Sequence, residues 1–274
     1  MIFTVDIGNT VITMGLFTPE GELEFRGSIK TDKNKTPDQI AIDVLDMFRL
    51  KQADVRSVNG AVISSVVPPM TAAMADAIRQ LCGVRPMIMG PGVKTGMNIL
   101  AEIHNQLGSD IVAYSVAALQ KYPAPIIVID MGTATTLSYL GKNTYEGCVI
   151  APGVRIALEA LSGRAAELPH ISIEAPASIM GRSTIDAMRA GVVYGNAGMI
   201  DSLIQRMEEA AAPAATVVMT GGNAAPILKH CKRDIIFDEN LIIDGLYYLY
   251  QKNHDRRRKK NDLTTARDQK GSGL

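Results

Sequence analysis

Asp6-Ile7-Gly8-Asn9-Thr10 and Asp130-Met131-Gly132-Thr133-Ala134-Thr135-Thr136 repeat one chemical pattern about half a chain apart. Each follows an apolar run, Ile2–Val5 or Ile126–Ile129, and leads into another, Val11–Phe17 or Leu137–Leu140. The pattern predicts a β-hairpin twice over. An acid ends a buried strand, glycine permits a tight turn, and hydroxyl side chains follow on the return strand. Backbone N–H groups at such a turn suit phosphate, and a neighbouring carboxylate suits a metal ion. One copy would be ordinary turn chemistry, because Asp and Gly are common there. Two copies imply a duplicated fold with a nucleotide between the halves, and hence phosphoryl transfer.

The rest of the chain alternates strands and helices. Leu23–Lys30 reads as a third strand after the Glu20-Gly21 turn. Thr36-Pro37 opens a helix, with threonine as N-cap and proline in the first position, carrying Ile40, Val44, Leu45 and Phe48 on one side. Gly60–Val67 reads as a buried strand stopped by Pro68-Pro69, followed by a helix over Met70–Leu81 and a short strand at Met87–Met89. A turn-rich stretch, Gly90-Pro91-Gly92-Val93-Lys94-Thr95-Gly96, precedes Gly108-Ser109-Asp110, which opens a helix ending at Lys121. The second half repeats the order, with strands at Ile126–Ile129, Thr135–Leu140 and Glu146–Ile150. A long helix spans Thr184–Ala211, and a strand at Val217–Met219 ends in Thr220-Gly221-Gly222-Asn223. Two such halves predict an α/β architecture with a sheet in each lobe.

Composition excludes several classes. The 274 residues are 47% hydrophobic, enough for a large core, and 28 basic residues balance 28 acidic ones, so no global field favours nucleic acid or membrane. No apolar stretch reaches the roughly 20 residues of a membrane span. Met1-Ile2-Phe3-Thr4-Val5-Asp6 lacks the basic region of a signal peptide. Cys82, Cys148 and Cys231 stand far apart, and His104, His170, His230 and His254 show no ligand spacing. The expectation is a reduced, cytoplasmic protein without a zinc site. Residues 255–274, with Arg256-Arg257-Arg258-Lys259-Lys260, read as a disordered basic and polar tail.

Taken together, Asp6–Thr10, Pro91–Gly96 (PGVKTG), Gly108-Ser109-Asp110-Ile111, Asp130–Thr136, Pro152-Gly153 and Thr220-Gly221-Gly222 resemble the motifs of the type III pantothenate kinases. The resemblance covers Met1 to about Tyr250. It implies membership of the acetate kinase, sugar kinase, Hsp70 and actin superfamily, with two ribonuclease-H-like lobes over residues 1–115 and 116–254 and a nucleotide cleft between them. It further implies ATP-dependent phosphorylation of pantothenate, the first step toward coenzyme A, by a homodimer that needs a monovalent cation.

The site residues follow from that resemblance. Neither half holds a GxxxxGK[ST] loop; Gly90–Thr95 comes nearest, with Val93 replacing the second glycine. Phosphate contacts therefore fall to the hairpins. Asp6 is expected to hold Mg²⁺, through water, with Ile7, Gly8, Asn9, Thr10, Val11, Ile12 and Thr13 forming the first ATP segment. Gly132 and Thr133 contact ATP, Asp130 takes K⁺ or NH₄⁺, and Gly221 and Gly222 let the backbone approach adenine or ribose. Asp110 is the expected base for the substrate hydroxyl, with Gly108, Ser109, Ile111 and Thr184 around the substrate. Thr184 is also a plain N-cap candidate. The family motif at 108–111 is Gly-Ala-Asp-Arg, so Ile111 stands where the family has a substrate-binding arginine. Lys94 and Arg182 are candidate replacements. Gly191, Gly195 and Gly198 mark a helix face suited to a subunit interface. Other readings are a kinase or phosphatase of the same superfamily acting on another small hydroxy acid, or a non-catalytic nucleotide-binding regulatory paralogue.

Overall fold

The computed structural model describes residues 1–100, 107–165 and 167–254. His104 and residues 255–274, with the expectation of disorder for that tail, lie outside them. The described residues divide into two compact units. The first holds Met1–Gly96, Gly108–Ala117 and the residues from Ile242 onward; the second holds the described part of Met97–Leu107 and Ala118–Leu241.

In the first unit β1 (Ile2–Ile7), β2 (Val11–Phe17) and β3 (Leu23–Lys30) form an antiparallel meander. Helix α1 (Pro37–Leu50) follows. Thr36 caps it through a full capping box with Gln39, and Pro37 occupies the first turn, as the sequence predicts. Strand β4 (Gly60–Ser65) then pairs parallel to β1. Helix α2 spans Pro68–Cys82, so the two prolines form its first turn rather than precede it. Strand β5 (Met87–Ile88) completes a five-stranded sheet of order β3-β2-β1-β4-β5.

Alternation along the strands sorts this sheet into two faces. Phe3, Val5, Ile7, Ile12, Met14 and Ile63 pack against Ile40, Val44 and Phe48 of α1 and Met70, Met74 and Ile78 of α2. Phe48 meets Phe3 and Phe25 edge-on, each at a centroid separation of 5.1 Å. Ile2 and Phe17 belong to the opposite face, where they cluster with Ile243 and Tyr247. Asp6 and Ser64 share that second face, because each is offset by one residue from the core positions of its strand.

Strand β6 (Asn98–Ile99), helix α3 (Ser109–Lys121), β7 (Ile126–Met131), β8 (Ala134–Leu140) and β9 (Thr144–Pro152) come next. Helices α4 (Val154–Arg164) and α5 (Thr184–Ala210) follow, then β10 (Thr216–Thr220), α6 (Ala224–Leu228) and β11 (Ile236–Phe237). The second sheet has the order β11-β10-β7-β8-β9-β6. Its middle repeats the first sheet: an antiparallel meander, β7-β8-β9, whose first strand pairs in parallel with a later one, β10. Ile127, Ile129, Met131 and Leu137 pack against Val193, Ala197, Ile200 and Ile204 of α5. The chain is therefore α/β with two mixed sheets.

Three further features differ from expectation. Ser183, not Thr184, caps α5, accepting from the Asp186 N–H at 3.1 Å. Strand β9 is longer than Glu146–Ile150 at both ends. The last helix, α7 (residues 241–254), falls within the expected 116–254 lobe, yet from Ile242 onward it belongs to the first unit. The cause is its apolar face: Ile243 and Tyr247 cover Ile2 and Phe17, and Tyr247 stacks on Phe17 at 4.7 Å.

Gly245 sets the approach of α7 to α3, since a Cβ there would run into the backbone of Ala113. Gly245→Ala gains about 1 kcal/mol of helix propensity but forces apart two packed backbones at a cost of about 1–3 kcal/mol. A net loss of up to about 2 kcal/mol is expected in urea unfolding.

Candidate active site

The first unit builds its site from the ends of β1 and β4 and the start of α3. Asp6 pairs antiparallel with Thr13 and parallel with Ser64, so a hydroxyl residue stands beside it on each neighbouring strand. Because β1 and β4 run in parallel, both carry these residues at their carboxyl ends, the usual edge for ligands in an α/β sheet. Ser64 hydrogen-bonds the Asp6 side chain, and Ser64 Oγ lies 2.9 Å from Ser109 Oγ at the start of α3. Ser109 Oγ also accepts from the Ser65 N–H at 3.3 Å.

Asp110 follows immediately. Its Oδ1 accepts from the Ile111 N–H at 2.8 Å, folding the carboxylate over the first turn of α3. Gly108 makes that position possible, because a Cβ at 108 would strike Oδ1. Asp6 feels the consequences. Burial pushes its carboxyl up to about 7, the nearby Asp110 charge adds to the rise, and the Ser64 hydrogen bond opposes it. A carboxylate so perturbed, beside a second acid and two hydroxyls, has the character of a functional site rather than a turn aspartate.

The hairpin tip itself is tightly held. The Gly8 N–H donates to Val11 O at 3.0 Å, so it is not offered to phosphate as the sequence suggested; the same closure leaves no slack for a Cβ at 8. Thr31 fastens the turn from β3, its hydroxyl donating to Gly8 O at 2.7 Å and its N–H to Thr10 O at 2.9 Å. Ile7 and Ile12 are fully buried in the core, and their side chains cannot face a ligand. Asn9, Thr10 and Val11 are exposed, and Thr13 is half-buried.

The second unit repeats the register. Asp130 pairs antiparallel with Thr136 and parallel with Thr220, again placing a hydroxyl residue on both sides of the acid. Three turns meet at this strand end. Gly153 abuts the backbone of Gly132 and Thr133, where a Cβ would overlap their carbonyl groups. Gly221 adopts φ +98° and lies so close to Met131 and the Asp130 carboxylate that a side chain would collide with both. Its need for glycine therefore arises within the protein, whereas Gly222 borders open space. Asn223, buried, donates from Nδ2 to the carbonyls of Met131 and Gly132, each at 3.3 Å, and accepts from Arg155 Nε at 3.1 Å. Beside it lies a cavity of about 380 Å³ with Arg155, Glu159, His170, Ser172, Gly222 and Asn223 in its walls.

Ser64, Arg155 and Asn223 escaped the sequence reading. Ser64-Ser65 at the end of an otherwise apolar strand was the available signal. The other expected substrate residues stand as follows. Ile111 is half-buried, Thr184 is exposed in the first turn of α5, and Arg182 is exposed in the preceding loop. Lys94 exchanges two backbone hydrogen bonds with the Asn253 side chain, at 3.0 and 3.1 Å, beside a groove of about 1010 Å³ that Arg85 and His254 also line. Among the described residues no three His, Cys, Asp or Glu side chains cluster as a metal cage, and no helix is long and apolar enough to cross a membrane.

The model of the type III pantothenate kinase family matches residues 2–206. A type III pantothenate kinase from Bacillus cytotoxicus is 39% identical over 254 residues, 92% of this chain and 97% of that protein. Among solved structures, a conserved putative Baf family transcriptional activator from Campylobacter jejuni aligns with a TM-score of 0.57 at 17% identity, covering 92% of this chain and 99% of that one. Component A of the (R)-2-hydroxyglutaryl-CoA dehydratase from Acidaminococcus fermentans aligns with a TM-score of 0.56 at 14% identity, with the same coverage. Likeness at such identities speaks for the fold alone. The sequence relationships go further: this chain belongs to the type III pantothenate kinase family.

Proposed function

We propose that the protein transfers the γ-phosphoryl group of ATP to the primary hydroxyl of pantothenate, giving 4′-phosphopantothenate and ADP on the route to coenzyme A. The observation that carries the residue assignment is the linked set Asp6–Ser64–Ser109 with Asp110 beside it. Phosphoryl transfer asks for positioning and charge neutralisation more than covalent chemistry. Asp110 takes the proton as the substrate oxygen attacks the γ-phosphorus in line, and the bond to the ADP oxygen breaks. With Oδ1 held by the Ile111 N–H, Oδ2 is the atom left to take that proton.

Asp6 takes the divalent ion. Among the described residues no third His, Cys, Asp or Glu joins Asp6 and Asp110 in a cage, and so ligand-poor a site suits Mg²⁺, which keeps most of its waters and the phosphate oxygens. When bound, that ion supplies positive charge to the phosphates. Asn9 and Thr10, at the exposed tip, and Thr133 on the second hairpin contact ATP, and the cavity beside Gly222 and Asn223 takes its adenosine end. Asp130 holds K⁺ or NH₄⁺, for which a hard oxygen donor flanked by hydroxyl residues is suited.

The enzyme works in the cytoplasm as a homodimer. Support for the dimer comes from α5, where Gly191, Gly195 and Gly198 share one face and border open space. Ile111 favours a second reading of the acceptor: an apolar side chain there supplies no charge for a carboxylate, so another small hydroxy acid remains a competing substrate.

A coupled ADP-release assay with pantothenate, run with and without K⁺, tests the function. Turnover should require pantothenate and rise with K⁺. Asp110→Asn should lower kcat by about 10²–10⁴-fold while ATP binding persists; equal turnover by the variant would remove the base from the mechanism. If Lys94 replaces the missing arginine, Lys94→Met should raise the KM for pantothenate by roughly tenfold at constant kcat, and an unchanged KM eliminates it.

Asp6 also makes a prediction about stability. Its carboxyl rises from 3.8 to about 7 on folding, so the unfolded chain binds fewer protons between those values. Stability contributed at this site therefore falls as pH rises from about 4 to 7, and the cost is complete above 7. Its ceiling is about 4 kcal/mol, at about 1.4 kcal/mol per pH unit. Asp6→Asn should match the wild type near pH 4 and exceed it by roughly 2 kcal/mol at pH 8 in denaturant titrations, while losing activity. A gain that shrinks with rising pH would contradict this account.

A further inference from the structure

We propose that Ser64 and Ser109 form a positioning pair that holds the base-bearing start of α3 in register with Asp6. Neither residue reaches the reacting atoms in this scheme; both act through Asp6 and Asp110. The inference rests on the phosphoryl-transfer reading but is separable from it by the measurements below.

The hydrogen-bond directions support it. A serine hydroxyl has one proton to donate and lone pairs to accept with. Ser109 Oγ accepts from the Ser65 N–H. When Asp6 is charged its carboxylate can only accept, so Ser64 is the donor of the bond between them. The bond between the two hydroxyls therefore runs from Ser109 to Ser64. The result is a one-way chain, Ser65 N–H to Ser109 to Ser64 to Asp6, with no hydroxyl proton left to turn elsewhere. Ser64 is fully buried, so no water competes for it.

Sequence distance makes this link consequential. Ser64 and Ser109 are 45 residues apart, and α3 meets the end of β4 here through side chains rather than a backbone ladder. Asp110, one residue beyond Ser109, has its carboxylate fixed to α3 by the Ile111 N–H. Its position relative to Asp6 thus depends on where the first turn of α3 is pinned. A base displaced by a fraction of an ångström from the attacking oxygen loses much of its effect.

The test compares Ser64→Ala, Ser109→Ala, the double variant and Ser109→Thr with wild type in the full-length enzyme. Each alanine change should lower kcat roughly tenfold with the KM for ATP unchanged. The double variant should lose about the same tenfold, since either change opens the same link. Ser109→Thr, which keeps the hydroxyl, should restore kcat to within about twofold. Losses that multiply to about a hundredfold, or a lowered Tm with wild-type kcat, overturn the proposal. Should Ser64→Ala fail to fold, the Ser109→Ala and Ser109→Thr pair decides. A readout free of turnover is hydrogen exchange at the Ile111 and Val112 amides, expected to speed up about tenfold in Ser109→Ala and to recover in Ser109→Thr. Unchanged exchange overturns the pair, whatever the acceptor proves to be. Absence of pantothenate-dependent ADP release in the wild type, with the exchange effect present, would instead revise the substrate and leave the pair standing.

Discussion

The register between β1 and β4 is the constraint on which the first unit turns. A parallel ladder that opposes Asp6 with Ser64 also puts Val5 and Ile63 on the core face. A slip of one residue would send the acid into the apolar layer of α1 and α2 and expose the core. The same hydrophobic pattern that stabilises the sheet therefore orients the chemistry. In the second unit the ladder of β7 with β10 does this for Asp130 and Thr220. The duplication lies in register as well as in motif.

Local signals were the legible ones. Apolar runs bounded by Asp-x-Gly marked both hairpins, and Thr36-Pro37 marked a helix start because capping chemistry is contained within a few residues. What escaped depends on distant partners. Strand β6 has two residues and exists by pairing with β9, and β11 exists by pairing with β10. Helix α7 has an evident apolar face, but its partner, the Ile2 and Phe17 surface of the first sheet, determines which unit it joins.

The candidate site divides in the same way. Asp6, Asp110 and Asp130 could be named because the acids stand within short motifs that resemble those of a known family. Ser64 and Asn223 could not, since their meaning comes from Asp6, Ser109, Met131 and Arg155. Gly221 is read from the sequence as allowing ligand approach, yet the Asp130 carboxylate and Met131 backbone occupy the space beside it; Gly8, read as a turn glycine, sits in a turn closed by Val11 O, which takes the N–H expected to face phosphate. Asp6 shows the opposite balance: its burial opposes folding at neutral pH, a strain that structural needs alone give no reason to keep.

The Thr31 fastening of the first hairpin bears on how a nucleotide would be selected. With the carbonyls of Gly8 and Thr10 tied to β3, the main chain of this turn has little freedom left to surrender when a ligand arrives. A ligand at this turn would then be selected by complementary shape and charge, not by a loop that folds around whichever anion appears. Such a preformed turn would keep the entropic penalty of association low.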